Sequence, residues 1–178
     1  GLMTLQSVGR GMGEERSGGV LVMASIYSFV GAPGNSIYCM TKGGLLQLAK
    51  ALAIEWARYN VRVNAICPGW IETDLTLPYM QDPKAVEAGL RQIPVRRFGK
   101  PEDIGPLAVY LASDEASFVT GQAFVIDGGQ IVRSRMVQAL TSTGDRHEIP
   151  WQYKLQPFCG SPGGGGQLPV PRPARLRR

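Results

Sequence analysis

The segment 20–26, Val-Leu-Val-Met-Ala-Ser-Ile, is apolar at every position except its serine. A strand with one face in water alternates apolar and polar residues, whereas a continuous apolar run of this length is typical of a strand buried on both faces. Such strands belong to parallel sheets that helices cover on each side. The run therefore predicts a layered α/β fold and places Ser25 at the end of a buried strand.

The sequence around this run predicts helices and strands in alternation. We expect helices at 1–12, 37–59, 83–92 and 101–112, and strands at 20–26, 61–66 and 122–126. Proline follows Asp82 and Lys100, which suits a first helical position, and Ser36 is a candidate cap for the long helix. Strands that alternate with helices form a parallel sheet with right-handed crossovers. The predicted fold class is α/β, with a doubly wound parallel sheet.

Tyr38 and Lys42 are four residues apart near the start of the predicted helix 37–59. Residues with this spacing lie on the same helix face, so the Lys42 ammonium would lie beside the Tyr38 phenol. A neighbouring cation favours the charged form of a phenol and suits it to act as a general acid or base. A Tyr-x-x-x-Lys pair also occurs by chance in roughly one in three chains of this length, so the pair alone does not decide the function.

Ser25 connects this pair with the sheet. Ligands of open α/β sheets bind outside the carboxyl ends of the strands, and a helix that follows such a strand begins at the same edge. Because Ser25 ends the strand 20–26 and Tyr38 begins the next helix, we expect the two hydroxyls to converge on one site.

Several motifs follow one another in a fixed order. They are Ala24-Ser25, Tyr38-Cys39-Met40-Thr41-Lys42, Val61-Arg62-Val63-Asn64, Pro68-Gly69-Trp70-Ile71-Glu72-Thr73, Arg97-Phe98-Gly99-Lys100-Pro101-Glu102-Asp103, Val119-Thr120-Gly121-Gln122 and Asp127-Gly128-Gly129. In this order and spacing, over residues 1–132, they resemble the classical short-chain dehydrogenase/reductase family. The resemblance implies a Rossmann-like sheet and an NAD(P)-dependent oxidoreductase that interconverts a carbonyl and an alcohol by hydride transfer.

The resemblance also implies site residues. Ser25, Tyr38 and Lys42 would be catalytic, with Tyr38 as the general acid or base, and Tyr38 and Lys42 would also contact the ribose of NAD or NADP. The segment after the strand 61–66 would hold the nicotinamide carboxamide through the backbone near Pro68, Gly69 and Ile71 and the hydroxyl of Thr73. Pro-Gly after a strand is also an ordinary turn, and the residues alone leave that interpretation open.

The resemblance begins in the middle of the family domain. Residues 1–6 are similar to the family's fourth helix, so the strand, glycine-rich turn and second strand that open the domain have no counterpart in the sequence given, and the family's catalytic Asn would lie shortly before Gly1. We expect residues 1–132 to be the C-terminal part of such a domain, a partial Rossmann-like sheet. The alternative is a non-catalytic truncated fragment, or a dimerisation and assembly module of the family.

Two glycine-rich segments are candidates for a phosphate-binding loop. The segment 9–13, Gly-Arg-Gly-Met-Gly, follows a predicted helix and leads into charged residues, so we expect a helix end and a loop. The segment 163–166 consists of four glycines among prolines and lacks the Lys-Ser/Thr of a phosphate loop, which is typical of a linker.

Charge divides the chain near Val132. The formal net charge is +5, but residues 1–132 carry eleven Lys/Arg against twelve Asp/Glu, whereas residues 133–178 carry eight against two. The second segment is rich in Gly and Pro and has little apolar periodicity, so we expect a disordered basic tail. Terminal arginines are more often solvated than specific ligands of nucleic acid, and we expect no nucleic-acid partner.

Cysteine and histidine usage gives no sign of a metal site. Cys39, Cys67 and Cys159 lack metal-ligand spacing, and the single histidine, His147, lies in the tail. We expect Cys39 and Cys67 to be small apolar fillers of a reduced cytoplasmic protein. No apolar stretch approaches the roughly 18 residues of a membrane span, and we expect no membrane partner.

Two further features point to partners. Trp70, Leu75, Leu77, Tyr79 and Met80 form an apolar stretch that would line or cover a pocket for a small carbonyl or alcohol substrate with a hydrocarbon part. Gly43-Gly44 lies inside the long helix, where each glycine costs about 1 kcal/mol against alanine, so something approaches that face closely. Family resemblance suggests the helix of a second copy in a homodimer or homotetramer, and packing on the chain's own sheet is the alternative.

Overall fold

The computed structural model describes residues 2–132, and the predicted tail 133–178 lies outside them. Three parallel strands form one sheet in the order β1-β2-β3: β1 (Gly18–Met23), β2 (Val61–Pro68) and β3 (Ala123–Ile126). The helices are α1 (Leu2–Glu15), α2 (Ser36–Trp56), α3 (Leu77–Met80), α4 (Pro83–Gln92) and α5 (Pro101–Ala112). The predicted α/β class with a parallel sheet is confirmed.

The central strand β2 is almost fully buried, because strands pair with it on both sides and helices cover both faces. Gly18 to Met23 of β1 pair with Val61 to Ile66, and Ala65 to Pro68 pair with β3. Successive side chains of a strand point to opposite faces. Val63, Ala65 and Cys67 therefore join one apolar cluster, and Ile66 joins another.

The two clusters correspond to the two helical layers. Leu46, Ala49 and Ala53 of α2 pack on the first cluster together with partly buried residues of α1, and Leu111 of α5 packs on the second. Cys67 is buried in the first cluster, and this burial raises the pKa of its thiol. The helices thus lie on both faces of the sheet, as in a doubly wound fold.

Strand β1 ends earlier than the predicted strand 20–26. Ala24 N–H still donates to the carbonyl of Ile66 (2.8 Å), but the strand ends at Met23, and Ser25 caps a 3₁₀ turn at Ile26–Ser28. The long helix also differs from 37–59. It spans Ser36–Trp56 and is followed by a separate 3₁₀ turn at Ala57–Tyr59.

Two smaller expectations about local structure were wrong. Ser36 does not cap α2, since Asn35 occupies the cap position and its side chain forms no capping bond. The segment 9–13 does not end the first helix, because α1 continues through it to Glu15. The reason is tertiary packing: a Cβ at Gly9 would overlap the Trp56 ring, so glycine lets α1 and α2 approach each other.

The glycine pair in α2 has no tight contact within the described part of the chain. A Cβ at Gly43 would lie 4.0 Å from the Ser28 carbonyl oxygen, and a Cβ at Gly44 would meet nothing within 4 Å. Close packing on the chain's own sheet is therefore the wrong explanation for Gly44. The structure also shows, for residues 2–132, no helix long and apolar enough to cross a membrane.

The different surroundings of Gly9 and Gly11 give a matched test of the α1–α2 contact. Gly9→Ala should destabilise the chain by about 1–3 kcal/mol, because the new methyl group overlaps Trp56. Gly11→Ala, in the same helix with nothing within 4 Å, should stabilise it by up to about 1 kcal/mol. Urea denaturation of both variants measures the difference, and equal stabilities would contradict this packing.

Candidate active site

Two adjoining clefts lie at the carboxyl edge of the sheet. The first, here called the aromatic cleft, has a volume of 240 Å³ and includes Tyr27, Trp70 and Tyr79 in its wall. The second, here called the Pro68 cleft, has a volume of 440 Å³. Ser25 and Tyr38 line both clefts. The two hydroxyl-bearing side chains that the sequence places at one edge therefore lie where the clefts meet.

Ser25 is held by the turn that follows β1. Its side chain is buried, and its Oγ accepts a hydrogen bond from Tyr27 N–H (3.2 Å). A serine hydroxyl has one donor and two acceptor lone pairs, so this capping bond leaves the O–H group able to donate. Ser25 can thus present a hydrogen-bond donor to the clefts from a fixed position.

Tyr38 lies in the first turn of α2, with 37% of its surface exposed. Its ring packs edge-on against Tyr27, with 6.1 Å between the ring centroids. Lys42 lies one turn further along, with its Nζ 5.6 Å from the Tyr38 ring centroid. The same-face arrangement of Tyr38 and Lys42 is therefore present in the structure.

Lys42 also ties the helix to the sheet. Its Nζ donates a hydrogen bond to the Met23 carbonyl (2.8 Å) at the end of β1, and its own carbonyl accepts one from Ser28 Oγ (2.8 Å). These two bonds fix the first turns of α2 against β1 and the turn after it. Lys42 is not among the residues that line either cleft, and its charge lies beside the Tyr38 ring.

The segment after β2 forms the other wall of the Pro68 cleft, to which Pro68, Gly69, Ile71 and Thr73 all contribute. Gly69 N–H donates to the Ile126 carbonyl (2.9 Å), and a Cβ at Gly69 would lie 2.7 Å from that of Asp127. Glycine is needed here because the chain passes close to β3, and not for a positive φ. Of the seven predicted site residues, six line this cleft and Lys42 lies behind it.

The Arg97-to-Asp103 motif holds this segment through Gly99, which lines neither cleft. Gly99 N–H donates to the Trp70 carbonyl (2.9 Å), and Glu72 N–H donates to the Gly99 carbonyl (2.8 Å). A Cβ at Gly99 would overlap the terminal methyl of Ile71, so a larger residue here would have to displace that side chain. From the sequence this motif was only part of the family pattern, and the structure assigns it a role, the support of residues 70–72.

Asp103 fixes the motif to the start of α5. Its carboxylate accepts two bonds from the Arg97 guanidinium (2.7 and 2.8 Å) and one from Lys100 N–H (2.7 Å). Hydrogen bonding from Arg97, with a smaller contribution from Lys100 N–H, holds the pKa of Asp103 well below its ordinary value, and the same pair raises the pKa of Arg97. The Asp three residues after Lys100 is the sequence signal for this cap.

The aromatic cleft contains residues that sequence reasoning missed. Trp70, Leu75 and Tyr79 line it as expected of the apolar stretch, whereas Leu77 and Met80 are not among its lining residues. The missed residues are Ile26 and Tyr27 in the turn after β1, Asn35 just before α2 and Thr76 just before α3. No local pattern marks them, since only the turn conformation brings them to the cleft.

The aromatic side chains of the cleft support one another. The Trp70 ring packs edge-on against Tyr79 (5.7 Å between centroids) and lies 5.9 Å from Phe98. Within residues 2–132, no three His, Cys, Asp or Glu side chains come together in a way that holds a metal ion. Ser25 and Tyr38 bring two hydroxyl groups to this site, and the Lys42 ammonium lies beside the Tyr38 ring.

Asp103→Asn should lower the thermal midpoint at pH 7, since it removes the carboxylate that accepts both Arg97 bonds. A lowered folded-state pKa gives stability that is present above the unfolded-state pKa of about 3.9 and is lost as pH falls through the folded pKa. The gap between wild type and variant should therefore shrink below about pH 4. Glu102→Gln, which removes a neighbouring charge without these bonds, is the control in thermal scans, and a pH-independent gap would contradict the assignment.

Comparison with known proteins identifies relatives of the chain. Residues 2–130 match the family model described as Enoyl-(Acyl carrier protein) reductase. The chain is 42% identical over 119 residues to the 3-oxoacyl-(acyl-carrier-protein) reductase of Thermotoga maritima, covering 67% of this chain and 48% of that protein. It is 39% identical over 123 residues to the inactive 2-(S)-hydroxypropyl-CoM dehydrogenase 2 of Xanthobacter autotrophicus, covering 67% and 54%.

Solved structures show the same fold. The gluconate 5-dehydrogenase of Burkholderia cenocepacia, crystallised with NADP and tartrate, superposes with a TM-score of 0.71 at 30% identity, covering 73% of this chain and 51% of that one. The chain thus spans about half the length of the relatives it matches.

Proposed function

The chain belongs to the short-chain dehydrogenase/reductase family, and from this premise we propose that it carries the proton-transfer site of an oxidoreductase that interconverts a carbonyl and an alcohol with NAD or NADP. The observation that carries the proposal is the position of Ser25 and Tyr38 where two clefts meet. One cleft has a wall of backbone groups suited to a cofactor, and the other has a wall of aromatic rings suited to a substrate.

Each catalytic residue has a separate task. Tyr38 transfers the proton to or from the substrate oxygen, since it lines both clefts and carries an ionisable hydroxyl. Ser25 donates a hydrogen bond to that oxygen with the O–H group that its capping bond leaves available. Lys42 places a positive charge beside the Tyr38 ring, where it stabilises negative charge on the phenol. The cofactor would supply or accept the hydride.

The donor set of the Pro68 cleft fits a carboxamide, which both donates and accepts hydrogen bonds. Ile71 offers backbone groups and Thr73 a hydroxyl, and both residues line the cleft with Pro68 and Gly69. Tyr38 and Lys42 would contact the ribose, because an ammonium has three donors and the bond to Met23 uses one.

The aromatic cleft suits a small substrate with a hydrocarbon part. Tyr27, Trp70 and Tyr79 line this cleft and not the Pro68 cleft, and Leu75 lines both. Burying such surface against an apolar group contributes roughly 25 cal/mol per Å². A carbonyl compound with an aromatic or aliphatic body therefore matches this wall.

We further propose a homodimer or homotetramer in which α2 packs on a second copy. Its outer face exposes Ile37, Met40 and Ile54, with exposed fractions of 71%, 67% and 81%. Gly44 is open on the same helix, so the backbone of a neighbouring helix can approach closely. Our cytoplasmic assignment rests on the sequence alone and remains a prediction.

The alternative function is that of a non-catalytic fragment or assembly module. One observation favours it: a relative 39% identical to this chain is described as inactive. In that case the α2 face would be the functional surface, and the Ser25–Tyr38 site would only preserve the fold.

Tyr38→Phe is the test of the catalytic proposal. In a form that also carries the upstream half of the family domain, this change should lower kcat by at least about 100-fold, because it removes the proton-transferring hydroxyl. NAD(P)H affinity and the thermal midpoint should change little, since the ring keeps its packing on Tyr27. Ketone reduction followed by NAD(P)H absorbance gives the rates.

Tyr110→Phe is the matched control, because it makes the same chemical change on α5, at a residue that lines neither cleft. Near wild-type turnover in Tyr38→Phe would refute the assignment of Tyr38. If the wild-type form with the upstream half reduced no carbonyl compound with NADH or NADPH, that result would favour the assembly module.

A further inference from the structure

Thr76 lines both clefts. Its hydroxyl donates a hydrogen bond to the Ile71 carbonyl (2.6 Å) and accepts one from Thr73 N–H (3.0 Å). One side chain thus binds two backbone groups of the segment that the proposed function assigns to the nicotinamide carboxamide.

The segment 70–73 is fixed from two sides. In an extended segment the backbone groups of successive residues point to opposite edges. Trp70 C=O and Glu72 N–H bind Gly99 on one edge, as described above. Ile71 C=O and Thr73 N–H point the other way, toward the clefts, where the Thr76 hydroxyl takes the place of a neighbouring strand.

Thr76 does not block the groups that it binds. A carbonyl oxygen has two lone pairs, so the Ile71 carbonyl can accept a second hydrogen bond. The Thr73 hydroxyl lies 3.4 Å from Thr76 Oγ1. Because Thr76 donates its proton in a shorter bond to the Ile71 carbonyl, the Thr73 hydroxyl is able to turn toward a ligand. The turn is closed by Thr76 N–H and Leu77 N–H, which both donate to the Thr73 carbonyl (2.9 Å).

We propose that Thr76 is a positioning residue for the cofactor: its hydroxyl holds Ile71 and Thr73 in the orientation that binds the nicotinamide carboxamide. The proposal rests on the proposed function, since it concerns the same cofactor wall. In this role Thr76 takes no part in the transfer of the hydride or the proton. It acts only through the backbone of residues 71–73.

The first test uses the chain without cofactor. Thr76→Val removes the hydroxyl but keeps the branched shape, so the Thr73 amide loses its acceptor and should exchange hydrogen at least about tenfold faster. Thr76→Ser keeps the hydroxyl and should restore slow exchange. If the Thr73 amide exchanged at the wild-type rate in Thr76→Val, the proposal that the Thr76 hydroxyl fixes residues 71–73 would be overturned.

The second test uses the form with the upstream half. NAD(P)H fluorescence titration should show a Kd about tenfold higher for Thr76→Val and within about twofold of wild type for Thr76→Ser, as expected for the loss of one hydrogen bond. Ser113→Ala, which removes a hydroxyl bonded to the Tyr110 carbonyl at the end of α5, should leave the Kd unchanged.

The two proposals fail in different ways. A wild-type protein that binds NAD(P)H and reduces ketones, with Thr76→Val binding the cofactor equally well, would overturn the role of Thr76 alone. A rise in Kd that Thr76→Ser fails to rescue would show that the methyl packing and not the hydroxyl matters, and would also overturn it. Turnover that survives Tyr38→Phe would overturn the catalytic assignment instead.

Discussion

The parallel pairing of β1 with β2 is the constraint on which the site depends. Because Val20 pairs with Val63 and Met23 with Ile66, both strands end at the same edge of the sheet. The turn after β1 then carries Ser25, while β2 ends at Pro68 and is followed by Gly69. A one-residue shift in register would turn every side chain of a strand to the other face, so the apolar clusters on both faces fix this alignment.

Around this edge, the residues that hold the secondary-structure elements in place differ from the residues that we propose act on the substrate. The Lys42 bond to Met23 and the Ser28 bond to the Lys42 carbonyl hold α2 in place, so Tyr38 is positioned without using its own hydroxyl. Gly99 and Thr76 hold the opposite wall in the same way. Ser25 and Tyr38 line both clefts, and our proposal assigns to their hydroxyls the proton that accompanies hydride transfer.

The sequence predicted the sheet well, because burial on both faces leaves a continuous apolar run that is easily recognised. It predicted the ends of elements less well. The end of β1 depends on where Ser25 finds a capping partner, and the continuation of α1 through Gly9 depends on the Trp56 ring, which is distant in sequence. The role of Thr76 was not predicted, because its hydrogen bonds to Ile71 and Thr73 depend on the conformation of the folded turn.

The most direct measurement of the central claim is a crystal structure of the form with the upstream half, bound to oxidised cofactor and an alcohol substrate. The arrangement described here predicts the alcohol oxygen within hydrogen-bonding distance of both Ser25 Oγ and Tyr38 Oη, with the carboxamide against Ile71 and Thr73 and the hydrocarbon part against Trp70. An alcohol oxygen bound away from Tyr38, or a nicotinamide outside the Pro68 cleft, would contradict it.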